Sequence, residues 1–193
     1  MTLLLYPGAG SDSNNPSLRA IEQAVAPHRC VRADFPYRLQ GRKAPDRAPV
    51  LMAAVREQIA ALPDDEPLVI GGRSMGGRMC SMIAAGVDGA PAPPQLRGLV
   101  LICYPLHPPG RRESLRVEHL PAIKVPTIFI SGTRDAFGTP DELTTWTATM
   151  SRKAKPRHVW LEGKGHDLKG AEAAIAKTVA EFLAHTGLGV GAI

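Results

Sequence analysis

Short apolar runs alternate with helix-period segments along the whole chain, and this alternation restricts the fold more than any other feature of the sequence. Leu3–Tyr6, Arg29–Ala33, Pro67–Gly71, Gly98–Cys103, Pro126–Ser131 and His158–Glu162 read as strands. Their apolar character is that of strands covered on both faces. Helical patterns run from Pro16 to about Ala26, from beyond Asp46 to about Leu62, and over Met75–Gly86, Pro140–Arg152 and Ala171–His185. Asn15 followed by Pro16 is a helix cap with its first-turn proline. Strands separated by helices predict a parallel, doubly wound α/β sheet. Residues 104–124 form a long irregular connection. The Gly-rich tail 187–193 is expected to fray. Without an internal repeat or a linker, residues 1–193 read as one domain.

In such a sheet ligands bind outside the carboxyl ends of the strands, so the chemistry belongs in the strand-to-helix loops. The third of these carries Gly72-Arg73-Ser74-Met75-Gly76, a G-x-S-x-G match with an apolar strand before it and an apolar-periodic helix after it. A nucleophile elbow needs that order. The turn brings strand and helix backbones so close that side chains two residues either side of Ser74 would clash, and Gly72 and Gly76 remove them. A phosphate-binding loop is the competing reading. The segment lacks both the Lys-Ser/Thr ending and the G-x-G-x-x-G spacing, and it follows the third strand rather than the first.

A serine hydroxyl needs a base to become nucleophilic, and imidazole titrates in the right range. Of six histidines, His28 and His185 lie at helix ends and read as surface residues, as does His119 in the irregular connection. His158 opens a strand, at the wrong edge of the sheet. His166 follows the sixth strand, with Gly163 and Gly165 letting the chain turn back toward Ser74; His107, after the fourth strand, is its rival. An acid must hold the second imidazole nitrogen. Asp135 follows the fifth strand, whereas the loop after the fourth, Tyr104–Gly110, offers no carboxylate. The order Ser74, Asp135, His166 is that of α/β-hydrolases. An oxyanion needs preorganised N–H donors. The Met75 N–H opens the helix, and the Gly-rich turn 7–10 after the first strand supplies Ala9, with Gly10 as fallback.

These residues resemble a known family. Pro7–Gly10, Phe35–Tyr37, Gly41–Pro49, Gly71–Arg78, Val125-Pro126, Gly132–Gly138 and Gly165-His166 are similar to the dienelactone-hydrolase-like branch of the α/β-hydrolases, the group that includes testis-expressed protein 30. The resemblance spans nearly the whole chain, and Gly71–Arg78 and Gly132–Gly138 are its most specific parts. It implies a compact α/β-hydrolase fold, strand order 2-1-3-4-5-6, no large lid, and a triad of Ser74, Asp135 and His166. Two departures stand out. Pro7 precedes Gly8 where many relatives have His-Gly, and Ser74 stands where dienelactone hydrolases carry cysteine, so dienelactone is not implied as substrate.

Phe35, Tyr37, Arg38, Tyr104 and Leu106 lie in the loops after the second and fourth strands and are expected to line a substrate pocket. Other arginines there are expected to pair with Asp34, Asp46 or Glu113. Arg73 and Arg78 flank the elbow and are expected to brace loops through ion pairs with Asp12 or Asp34.

The net charge of +5 comes from scattered basic residues, and only 5% of residues are aromatic. Nucleic-acid binding would need a basic stripe with interleaved aromatics. No run approaches the ~20 apolar residues of a membrane helix. Cys30, Cys80 and Cys103 form no CxxC pair and read as buried small hydrophobes of a reducing, cytoplasmic protein. No His/Asp/Glu cluster has metal-ligand spacing, and no cofactor is expected. The sequence therefore predicts a monomeric or homodimeric serine hydrolase acting on a small ester, thioester or lactone. The alternative is a non-catalytic α/β-hydrolase-fold scaffold.

Overall fold

A computed structural model describes residues 1–187. Its strands are β1 (Thr2–Tyr6), β2 (Arg29–Arg32), β3 (Leu68–Arg73), β4 (Leu96–Ile102), β5 (Thr127–Gly132) and β6 (Arg157–Leu161). They form one all-parallel sheet in the order β2-β1-β3-β4-β5-β6. The helices are α1 (Pro16–Ala24), α2 (Pro36–Leu39), α3 (Ala48–Ala60), α4 (Met75–Ala85), α5 (Pro140–Thr147) and α6 (Glu172–His185), with a 3₁₀ turn at Leu120–Ala122. This is the compact α/β-hydrolase fold, with no large lid among the described residues.

The strand residues divide by parity, because successive side chains point to opposite faces. Leu3, Leu5, Val69, Val100, Ile102, Ile128 and Ile130 join one core with Leu18 and Ile21 of α1 and Ile175, Val179 and Phe182 of α6. Leu4, Tyr6, Leu68, Ile70, Leu99, Leu101 and Phe129 join the other with side chains of α3, α4 and α5. Burying one such aliphatic side chain contributes about 1.5–3 kcal/mol, which fixes the register of each strand.

Asn15 caps α1 by accepting from the Ser17 N–H at 3.0 Å. Thr139 and Glu142 form a reciprocal capping box on α5. Several elements depart from the sequence reading. β4 begins at Leu96, two residues before Gly98. Pro36–Leu39 is a helical turn that its four residues are too short to show as a period. α5 stops at Thr147 rather than Arg152, and the chain then runs through turns to β6. The expectation for the tail, beyond Gly187, lies outside the described residues.

Candidate active site

The site is built at the carboxyl ends of β3, β4, β5 and β6. Ser74 joins β3 to α4 with φ 46° and ψ −115°, left-handed backbone in a non-glycine residue. Such a conformation costs about 1–3 kcal/mol and persists only where its surroundings enforce it. Here the Ser74 N–H donates to the Ile102 carbonyl at 2.8 Å, tying the turn to the end of β4. The neighbouring glycines have no substitute. A Cβ on Gly72 would stand 2.0 Å from the Tyr6 carbonyl oxygen, and one on Gly76 2.5 Å from that of Pro7.

Three side chains from three loops meet in a relay. His166 Nε2 lies 2.9 Å from Ser74 Oγ, and His166 Nδ1 lies 2.9 and 3.0 Å from the two carboxylate oxygens of Asp135. A carboxylate only accepts, so Nδ1 bears the proton and Nε2 is left to accept from the serine hydroxyl. Asp135 is buried, and its Oδ1 also accepts the Phe137 N–H at 2.8 Å. The Phe137 ring stacks on the His166 imidazole with centroids 3.9 Å apart. These contacts leave the imidazole little rotational freedom.

Arg73 holds the histidine loop from behind. Its guanidinium donates to the carbonyls of His166 and Asp167, both at 2.9 Å, and to Ser17 Oγ at 3.1 Å. The expected ion pair with Asp12 or Asp34 is not formed, because those carboxylates are engaged elsewhere. Asp12 pairs with Arg38, and Asp34 accepts from the backbone and hydroxyl of Ser13. Arg78 likewise joins no ion pair among the described residues. Arg42 does pair with Asp46, at 2.8 Å.

A cavity of about 260 Å³ opens beside Ser74, walled by Ala9, Met75, Arg78, Pro105, Arg116 and Phe137. Among the described residues, the N–H groups of Ala9 and Met75 donate to no protein acceptor. The Gly10 N–H is already committed to Tyr37 Oη at 3.3 Å, which removes it as an oxyanion donor.

The expected pocket lining is corrected. Phe35, Tyr37, Tyr104 and Leu106 are fully buried core residues, and Arg38 turns to Asp12. Their large apolar surfaces gain more from the core than from a solvated pocket wall. Tyr6, Phe35 and Tyr37 stack in succession beneath the 7–10 turn, with Tyr37 as its hydrogen-bonded support. Phe137 and Arg116 were missed as wall residues. Phe137 lay in view, two positions past Asp135 in a singled-out segment, but nothing in the pattern of 104–124 marks Arg116.

Two other histidines are otherwise engaged. His107 is buried, with Nδ1 on its neighbour's carbonyl oxygen, that of Pro108, and Nε2 3.4 Å from Glu142. His119 is not a surface residue. It is buried against Ser81, its Nε2 2.7 Å from the hydroxyl oxygen. The Ser81 and Tyr104 hydroxyls donate to the carbonyls of Arg78 and Arg116, so the His119 N–H is the donor to Ser81. Burial, and then the charge of Arg78, hold this imidazole down to about 4, so it is neutral near pH 7.

Cys103 follows β4 with φ 51°, and its sulfur lies within 4.8 Å of the nearest ligand atoms of Asp135 and His166. These three are the one cluster of metal-ligating types among the described residues. Both His166 nitrogens are already used in the relay, and burial pushes the Cys103 thiol up to about 12, where it keeps its proton. The donor set suits a hydrogen-bonded relay better than an ion.

The comparisons agree with this architecture. Residues 1–186 match the family described as alpha/beta hydrolase domain, and the chain belongs to that family. Solved structures share the fold at low identity. Est1E from Butyrivibrio proteoclasticus superposes with a TM-score of 0.73 at 12% identity, over 96% of this chain and 87% of that one. A monoacylglycerol lipase from Paleococcus ferrophilus gives 0.73 at 14%, over 96% and 94%. A membrane phospholipase A described as a bacterial virulence factor gives 0.75 at 20%, over 96% and 79%. No helix among the described residues is long and apolar enough to cross a membrane.

Proposed function

We propose that this α/β-hydrolase is a serine carboxylesterase-like enzyme that cleaves a small ester, thioester or lactone through an acyl-enzyme on Ser74. The observation that carries the reading is the unbroken relay from Ser74 Oγ through His166 to buried Asp135, each step 2.9–3.0 Å. The lipase and phospholipase that share the fold support it at the level of chemistry.

In this mechanism Ser74 Oγ attacks the carbonyl carbon while its proton moves to His166 Nε2. The new oxyanion is met by the Ala9 and Met75 N–H groups. The tetrahedral intermediate then collapses, the bond to the alcohol oxygen breaks, and His166 gives that oxygen the proton. Water, deprotonated by His166, attacks the acyl-enzyme, and the second collapse frees the acid and restores the Ser74 hydroxyl. Asp135 stabilises the imidazolium and fixes its orientation. The chain acts as one domain in this proposal. The unpaired cysteines support a reducing, cytoplasmic setting. Of the resemblances, the dienelactone-hydrolase-like branch fits the small lidless body, with serine replacing that enzyme's cysteine.

One observation favours the second reading, a non-catalytic interaction module. A cavity of about 520 Å³ fed by the 104–124 connection lies away from Ser74, with Leu115, Val117, Pro121 and Trp146 in its wall beside the polar Glu113, Ser114, Glu118 and Thr149. Intact-mass labelling with a fluorophosphonate probe separates the two. A single adduct on the wild type and none on Ser74→Ala is the expected result. A folded wild type that takes no adduct overturns the hydrolase reading and leaves the scaffold.

A further inference from the structure

The cavity beside Ser74 carries two arginines for which the protein supplies no counter-charge. Of the other arginines, Arg32, Arg38, Arg42, Arg56 and Arg112 each meet a carboxylate, Arg73 meets backbone carbonyls, and the rest are exposed to solvent. Among the described residues Arg78 and Arg116 meet no carboxylate, and neither side chain donates a hydrogen bond to the protein. The Nε–H of Arg78 is buried and unpartnered. A buried donor without an acceptor is expensive and rare, and it calls for an explanation.

Both residues are held in place by their backbones. Arg78 sits one turn along α4 from Ser74, and its N–H donates to the Ser74 carbonyl at 3.0 Å. Residues four apart on a helix share a face, so Arg78 and the elbow look into the same space. Arg116 is fixed at the end of an irregular loop by two contacts. Its N–H donates to the Leu106 carbonyl at 2.9 Å, and its carbonyl accepts from Tyr104 Oη at 2.7 Å. The like charges also disfavour each other: burial, and then the charge of Arg78, lower the proton affinity of the Arg116 guanidinium. Neutral His119 beneath them brings no negative charge. The amino end of α4 adds its own partial positive charge at the same wall.

We infer that Arg78 and Arg116 form an anion-binding subsite, and that the ester cleaved at Ser74 carries a carboxylate or a group of like charge a short spacer away from the reacting carbonyl. The guanidinium forks match a carboxylate in shape as well as charge, and the anion would satisfy the buried Nε–H and separate the two cations electrostatically. The inference rests on the hydrolase reading for its substrate, but not for its anion site.

The test uses matched esters. p-Nitrophenyl monoglutarate against p-nitrophenyl pentanoate places the charge in the acyl part. 3-Acetoxypropanoate against propyl acetate, followed by pH-stat, places it in the alcohol part. The wild type should favour the charged member in one arm by about tenfold or more in kcat/KM, about 1.4 kcal/mol in binding the transition state. Arg78→Met and Arg116→Met should bring that ratio toward one. Arg78→Lys should restore it in part, and Arg152→Gln, an exposed-charge control, should leave the ratio intact. Circular-dichroism melts verify that each variant is folded. If neutral esters are cleaved and Ser74 is labelled, but neither arm shows a charge preference, the subsite is refuted and the hydrolase stands. If no ester is cleaved and no label taken, the hydrolase reading fails. Calorimetric titration of the wild type with glutarate then decides the subsite alone: binding that Arg78→Met abolishes sustains it, and no binding overturns it.

Discussion

Gly132 offers a perturbation whose effect follows from interatomic distances. It closes β5, and the backbone of the histidine loop lies directly against its α-carbon. A methyl group there would stand 2.1 Å from the Lys164 carbonyl oxygen and 2.9 Å from that of Gly165. Ordinary contact begins near 3.4 Å, so the loop must retreat by about 1.3 Å or the strand must yield as much. The loop cannot swing aside freely, because the Arg134 N–H donates to the Lys164 carbonyl and the Gly163 N–H to Thr133 Oγ1, both at 2.9 Å. The displaced atoms immediately precede His166, so its contact with Ser74 should open toward about 4 Å, and a misplacement of that size costs ~100-fold in rate. Gly132→Ala should therefore lower kcat on a p-nitrophenyl ester by about two orders of magnitude, about 2.7 kcal/mol of barrier. Overpacking should cost a further ~1–3 kcal/mol of stability, read as a lower Tm. The assay pairs steady-state kinetics with a melt and with the rate of fluorophosphonate labelling. A folded Gly132→Ala protein with wild-type kcat would show that the loop does not set the position of the base.

Two further outcomes are expected. Arg73→Met removes the charged donor shared by the His166 and Asp167 carbonyls, and should slow fluorophosphonate labelling by ~10–100-fold, with partial recovery in Arg73→Lys; unchanged labelling would show that the loop holds itself. His119, held down to about 4 by burial and then by Arg78, with Glu118 opposing, binds its proton less readily folded than unfolded. Its contribution to stability is therefore complete above the unfolded value near 6.5 and is lost as pH falls toward 4, by roughly 3 kcal/mol. Urea melts of wild type and His119→Gln between pH 7 and 4 should show the steeper loss in the wild type, and parallel curves would remove His119 as the cause.

The parallel α/β class and the elbow were legible because each rests on a short-range rule, whereas the strand order was implied only by the family resemblance. Apolar runs with helical spacers dictate parallel strands, and Gly72 and Gly76 are demanded by backbone contact with Tyr6 and Pro7. The meeting of Ser74, Asp135 and His166 was legible because all three follow carboxyl ends of strands in one sheet. Side-chain direction was not legible. Phe35 and Tyr37 follow β2 as a pocket wall would, yet the aromatic stack from Tyr6 draws them inward. Tyr104 and Leu106 turn the same way, toward Phe129 and the core. The path of 104–124 follows no period, so the burial of His119 and the return of Arg116 to the nucleophile emerge only when Tyr104 and Leu106 are seen pinning that loop. Arg73 was flagged beside the elbow, but its partners are carbonyls, which leave no trace in side-chain chemistry.

The position of β6 at the sheet edge has a temporal consequence. Ser74 and His166 stand 92 positions apart, so a chain emerging from the ribosome exposes Ser74 long before His166 has been synthesised. Strands β3 and β4 can form the serine turn early, yet that turn stays inert until the outermost strand docks beside β5. The same edge is half-exposed along Arg157–Leu161, as the opposite edge β2 is along Arg29–Arg32, and has less to lose on opening than the central strands. Fraying there withdraws His166 from Ser74 while the central strands stay paired, so on the proposed mechanism warming should abolish turnover, reversibly, at temperatures where most of the secondary structure persists.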